Sequence, residues 1–97
     1  MKYYVYLLVS NSKNKIATYV GYTKNLQRRL SLHNISRGAK YTRGRKWIVF
    51  HKEIYDSKSK AMSREYKLKK DRKFRNFLKE KFMKKTIVYY TKDKVML

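Results

Sequence analysis

An α+β domain is predicted: a small three-stranded antiparallel sheet flanked by helices, in the order β-β-α-β-α-α. Three observations predict it. Residues 3–9 and 17–22 are rich in Tyr and Val and are joined by a polar turn, Asn11 to Lys15, which makes them a hairpin. A third stretch of the same character runs from Trp47 to Tyr55. The segments after the hairpin and after the third stretch carry apolar residues at helical spacing, with capping residues at their starts. Antiparallel strands followed by helices belong to the α+β class rather than to an alternating parallel fold.

In the first strand Tyr4, Tyr6 and Leu8 alternate with Tyr3, Val5, Leu7 and Val9. Both faces are apolar, so the strand is interior, with something packed on each side. Gly21 weakens the second strand and marks a bulge or a place where another backbone or a ligand comes close. Thr23 or Asn25 caps a helix running to about Asn34, with Leu26, Leu30 and His33 on one face and Arg29 beside them. Residues 35–46 form a basic loop with room for one short helical turn. Asp56 or Ser57 caps a helix to about Lys70, and Asp71 starts a third whose apolar stripe is Phe74, Phe77, Leu78 and Phe82. Residues 86–91 fit a strand or an arm equally well. No internal repeat is visible. The expected division is a domain over 1–82 and a C-terminal extension, 83–97, without an assigned role.

The chain has 97 residues, enough for one domain with a modest core. Its formal net charge is +21, and none of its six carboxylates precedes Glu53. The first half cannot neutralise its own lysines and arginines, so a polyanion is the expected partner; a phosphate backbone rewards each such contact by releasing counterions. Fifteen aromatic residues (ten Tyr, four Phe, one Trp) argue for a folded domain and against a disordered basic tail. The absence of Cys excludes disulfides and thiolate zinc sites, and two histidines make an all-histidine metal site improbable. Any metal is then a hard cation held by oxygen. No stretch approaches the roughly 20 apolar residues that span a bilayer. The tyrosine-rich start runs into Asn11-Ser12-Lys13 without a cleavage site, so it reads as a strand rather than a signal peptide. The expectation is a cytoplasmic protein with no membrane association.

Two groups of residues invite chemistry. Ala61, Glu65 and Leu68 stand at i, i+4 and i+7, which puts a carboxylate on the apolar face of its helix. It is there either as the partner of an arginine or as a metal ligand; an unpaired ion in that position would cost several kcal/mol (roughly). Tyr6 and Tyr19 lie on facing strands with Gly21 leaving room beside them, and Arg29 and His33 follow on the next helix, one turn apart. Each alone has an ordinary structural explanation: a cross-strand aromatic pair, a solvated arginine, a satisfied helix histidine.

Their order and spacing together resemble the GIY-YIG nuclease superfamily, and most closely its small single-domain bacterial members, which are related to the excision-repair nuclease domains. Tyr4-Val5-Tyr6 stands at the first tripeptide and Tyr19-Val20-Gly21 at the second; the run from Tyr19 to Leu30 continues into the arginine helix. Arg29 falls on the superfamily arginine and Glu65 on the helix glutamate. His33-Asn34, Gly38-Ala39-Lys40-Tyr41-Thr42 and Glu65-Tyr66 match the small members. The likeness covers roughly residues 2–82. It departs at Tyr4, which replaces a glycine, and at Tyr22, where excision-repair domains carry a lysine; a lysine-assisted base is therefore not available there.

The resemblance implies phosphodiester hydrolysis. Glu65 is expected to hold a single Mg²⁺ or Mn²⁺, Arg29 to grip the scissile phosphate, and Tyr6 or Tyr19 to relay a proton from the attacking water. His33 is the rival base, with a reference pKa of about 6.5 against about 10 for tyrosine. The scarcity of acids favours one metal independently, because two-metal sites need several converging carboxylates. Lys40, Tyr41, Arg43, Arg45 and Lys46, with Trp47, are expected to line the substrate groove. The predicted function is a metal-dependent endonuclease acting on DNA with low sequence specificity, in repair or recombination. The alternatives are a non-catalytic basic nucleic-acid-binding module and a DNA-docking subunit whose protein partner supplies target specificity.

Overall fold

The computed structural model describes residues 1–12 and 15–96. Strands β1 (Tyr3–Ser12) and β2 (Lys15–Thr23) form the expected hairpin and extend further into its turn than the apolar pattern does. Helix α1 (Leu26–Asn34) follows, then one 3₁₀ turn (Lys40–Thr42), strand β3 (Ile48–Tyr55), and helices α2 (Lys58–Lys70) and α3 (Arg72–Met96). The strand order is β2-β1-β3, antiparallel throughout. The class and the element order are those the sequence predicts. No helix among the described residues is long and apolar enough to cross a membrane.

β1 is the central strand, and its double-sided apolar pattern has that cause: Val5 to Val9 are all at most 1% exposed. Val5, Leu7 and Val9 pack with Ala61 and Leu68 of α2 and Leu78 of α3. Tyr6 and Leu8 face the other way, against Leu26 and Leu30 of α1 and Trp47. Burying each such side chain is worth about 1.5–3 kcal/mol. The pairing of β1 with β3 shifts between Leu7 and Leu8, where His51 and Val49 are the successive partners. Phe50 is the extra residue and turns to the helix α2/α3 side.

The helix ends follow side-chain capping. Asn25 caps α1, its Oδ1 accepting from Arg28 N at 3.0 Å; Ser57 caps α2 through Lys60 N; Asp71 Oδ1 accepts from Phe74 N at the start of α3. Each cap is worth about 1 kcal/mol. Ser36, at φ 62, ends α1 in a left-handed turn whose Arg37 N–H returns to Leu32 O.

Two expectations fail. Residues 86–91 are neither strand nor arm but lie inside α3. From Arg72 onward no Gly or Pro interrupts the chain, and β-branched residues lower helix propensity by only a few tenths of a kcal/mol (roughly), too little to stop an established helix. Phe77 does not belong to the core stripe. It is 52% exposed, stacked on Phe74 with Lys81 over its ring, while Phe74, Leu78 and Phe82 pack inward.

Candidate active site

The site begins with a missing side chain. Gly21 is the β2 partner of Tyr6, and the Tyr6 ring lies across it: a Cβ there would stand 2.6 Å from Tyr6 Cζ and nearer still to the hydroxyl. The close approach at Gly21 is made by the Tyr6 side chain rather than by another backbone or a ligand, and the β1–β2 register runs through it without a bulge. Its hydroxyl reaches 3.1 Å from Nε2 of His33. His33, in the last turn of α1, is fully buried, and its Nδ1 lies 2.9 Å from Thr42 Oγ1. Tyr19 is opposite Leu8, not Tyr6. Both phenols instead converge on the imidazole, Tyr19 with ring centroids 5.0 Å apart and Tyr6 at 6.0 Å.

The charges bear on the same point. Burial pushes the Tyr6 hydroxyl up to about 12; hydrogen bonding to Arg29 and its charge pull the other way, and Tyr19 and Glu65 add to the rise. Burial holds His33 below the ordinary imidazole range, and the Arg29 charge lowers it further. The imidazole is thus neutral at pH 7. Arg29 is half-buried and also walls a cleft of about 270 Å³ with Lys24, Asn25 and Arg28.

Glu65 lies on the sheet-facing side of α2, its side chain 17% exposed. Its ion-pair partner is Lys69, one turn on, at 2.9 Å, rather than an arginine. That bond raises the pKa of Lys69, and the Tyr19 phenol acts on the same ammonium. Tyr6, Tyr19, Arg29, His33 and Glu65 therefore belong to one electrostatic neighbourhood.

The residues expected to line the groove separate. Tyr41 is 61% exposed and stacks nearly parallel to Tyr19, centroids 6.1 Å apart and planes 23° from parallel. Lys40, Arg43 and Lys46 are exposed. Arg45 donates from Nη1 to Lys15 O at 3.2 Å, tying the loop to the hairpin end. Trp47 is 2% exposed and part of the core, so it is no groove wall. Its Nε1 donates to Thr42 O at 2.9 Å, and its backbone is clamped by Asn34, which accepts from Trp47 N and donates to Trp47 O. Thr42, Asn34 and Gly38 support the site without having been singled out as candidates. The signal was present in the Gly38-to-Thr42 and His33-Asn34 runs, but nothing in the sequence says what Thr42 touches.

The family profile of the GIY-YIG catalytic domain matches residues 2–81. The chain belongs to the GIY-YIG family. Among similar proteins, a UPF0213 protein of Bacillus velezensis is 38% identical over 90 residues, covering 90% of this chain and 88% of that one. A UPF0213 protein of Halobacterium salinarum is 56% identical over 52 residues, 53% of this chain and 68% of the relative. The solution NMR structure of a UPF0213 protein from Bacillus halodurans, 36% identical, aligns with 82% of this chain and 84% of its own, with a TM-score of 0.47.

GIY-YIG nucleases in general use divalent metal ions, and the carboxylate that acts on both Tyr6 and the Tyr19-facing ammonium of this GIY-YIG domain is Glu65. Among the described residues no three His, Cys, Asp or Glu side chains cluster as a metal cage. Glu65 is a single carboxylate, 17% exposed, whose Oε1 is paired with Lys69; a hard cation held there would take the place of that ammonium, with water and phosphate oxygens filling its remaining positions.

Proposed function

We propose that this GIY-YIG domain is a divalent-metal-dependent endonuclease that hydrolyses phosphodiester bonds in nucleic acid, DNA being the expected substrate. The observation that carries the reading is the Tyr6–His33 contact at 3.1 Å, inside a neighbourhood shared by Arg29 and Glu65. A bound Mg²⁺ or Mn²⁺ on Glu65 would supply Lewis-acid stabilisation of charge on the phosphate.

The chain's own residues divide the rest. Arg29 presents a planar fork to the scissile phosphate and stabilises the charge that builds on its oxygens. Tyr6 takes the proton of the attacking water at its hydroxyl oxygen while passing its own proton to Nε2 of His33. With its pKa near 12, Tyr6 is a poor base alone at neutral pH. Next to a neutral imidazole it needs no free tyrosinate, so the two rival bases act in series. Tyr41, stacked on Tyr19, offers a ring face to a base, and Lys40, Arg43 and Lys46 offer phosphate contacts. Lys24 and Arg28, beside Arg29 in its cleft, extend that basic surface past the scissile position. Such contacts position a backbone without reading sequence, which supports low specificity.

The test compares wild type with Glu65→Gln on single-stranded, duplex, flap and junction DNA and on RNA, with and without Mg²⁺ or Mn²⁺. Metal-dependent cleavage by wild type is expected, lost in Glu65→Gln while substrate binding stays equal or tightens. Equal cleavage by both proteins would assign the activity elsewhere. Tight binding with no cleavage by either would make the chain a binding module or docking subunit.

A further inference from the structure

We infer that Thr42 is a positioning residue that fixes the tautomer of His33, holding the ring proton on Nδ1 so that Nε2 presents a lone pair to Tyr6. The catalytic consequence rests on the nuclease reading; the tautomer itself does not.

The assignment follows from counting protons. Thr42 Oγ1 has three neighbours at hydrogen-bond distance: Ala39 O at 2.9 Å, Ala39 N at 3.2 Å and His33 Nδ1 at 2.9 Å. It has one proton and two lone pairs. A carbonyl oxygen only accepts, so the hydroxyl proton goes to Ala39 O. A backbone amide only donates, so Ala39 N–H takes one lone pair. The second lone pair is left for His33, and Nδ1 must therefore carry a hydrogen. A neutral imidazole with hydrogen on Nδ1 has a bare Nε2, which at 3.1 Å accepts the Tyr6 O–H.

Nothing nearby offers an easy alternative. His33 and Thr42 are both 0% exposed, so water does not compete. The ring lies against Gly38, where a Cβ would stand 2.7 Å from His33 Cγ, so the imidazole fills the space that a side chain at 38 would need. Thr42 is itself pinned: Trp47 Nε1 donates to its carbonyl, and its own N–H donates to Ala39 O at 3.1 Å. Free imidazole in water prefers hydrogen on Nε2, so the protein holds His33 in the less common form. In that common form Nε2–H would face the Tyr6 O–H, and the relay would have no acceptor. Thr42 also lies in the 3₁₀ turn that carries Lys40 and Tyr41, so the support for the base and the expected substrate contacts share one turn.

The experiment is long-range ¹H–¹⁵N NMR of the full chain at neutral pH, with His33 assigned by comparison with His51→Gln. Wild type is expected to show His33 with its proton on Nδ1. Thr42→Val, which keeps the shape but removes the acceptor, should move His33 to the Nε2–H form or to a mixture; Thr42→Ser should restore the wild-type pattern. Circular dichroism and thermal melting confirm that each variant is folded; should Thr42→Val not fold, the wild-type and Thr42→Ser spectra decide. In the cleavage assay Thr42→Val should lose about 10²-fold or more, the scale of general-base catalysis, and Thr42→Ser should stay within about tenfold of wild type. A wild-type His33 with its proton on Nε2, or a folded Thr42→Val with an unchanged tautomer, overturns the inference whatever the nuclease assay returns. Nδ1–H in wild type with no cleavage of any substrate would leave the tautomer assignment standing and remove the nuclease reading instead.

Discussion

Adding a single methyl group at Gly21 should disable the site through Tyr6. In Gly21→Ala the new Cβ would start 2.6 Å from Tyr6 Cζ and closer still to the hydroxyl, whereas ordinary contact begins near 3.4 Å, so the tip of the side chain must move by about 1 Å. That tip is confined: Tyr6 is 1% exposed and packed with Leu8 and Trp47. A shift of that size takes the 3.1 Å contact with His33 out of hydrogen-bond range or compresses it. Overpacking of this kind costs about 1–3 kcal/mol of stability, and a reacting group displaced by about 1 Å costs about 10²-fold in rate. Urea unfolding would read the first quantity and single-turnover cleavage of the best substrate the second. A second background sharpens the result. Tyr6→Phe removes the atom nearest the new Cβ, so the stability losses of Gly21→Ala and Tyr6→Phe should be less than additive. If Gly21→Ala cleaves within threefold of wild type, or if the two losses simply add, the placement of the Tyr6 hydroxyl over Gly21 is wrong or irrelevant to turnover.

Three further outcomes are expected. Arg29→Lys should lower the cleavage rate by about 10²–10³-fold with little change in stability, because an ammonium keeps the charge but not the two-pronged contact with phosphate; a rate within tenfold of wild type would count against a fork on the scissile group. Lys40→Ala combined with Arg43→Ala should reduce the slope of log K against log salt by about 2 for duplex DNA, and an unchanged slope would show that this loop does not touch the backbone. The third concerns acid. Burial alone would raise the pKa of Glu53, but the Arg64 fork (2.8 and 3.0 Å), His51 and Tyr55 overcome it and hold the carboxyl at about 2 against an ordinary 4.5. A depressed carboxyl contributes stability that is fully present above pH 4.5 and lost as pH falls through 2. The contribution is about 3 kcal/mol at 1.36 kcal/mol per unit. Urea titrations of wild type should therefore lose stability between pH 4.5 and 2, and Glu53→Gln should lack that part of the loss; parallel pH profiles would contradict the ion-pair account.

How much of this was legible in advance depends on the range over which each feature is decided. The hairpin, the caps at Asn25 and Ser57 and the double-faced β1 are decided by neighbours a few residues away, and alternation and capping chemistry expose them. The tail of α3 is decided by whether anything stops a helix already begun, and Thr86 to Thr91 look strand-like only when read apart from Arg72 onward. Phe77 is one position beyond the face that α3 turns inward, an error of a single helical step. The polar core is different in kind. His33 is buried with both nitrogens engaged only because Ser36 turns the chain left-handed, Asn34 clamps Trp47, and the loop brings Thr42 back beneath the ring. No periodicity reports a contact that depends on three such events. The order of Tyr6, Tyr19, Arg29 and Glu65 along the chain identifies the family, yet Tyr6 and Tyr19 are not opposite one another, and what unites them is an imidazole neither strand supplies. Burial of His33 and Thr42 excludes water from the far end of the series of contacts that starts at Tyr6. On the proposed mechanism, packing in the core is part of the proton path, and substitutions at Gly21 and Gly38, which carry no chemistry of their own, should be as damaging to turnover as changes to the residues that do.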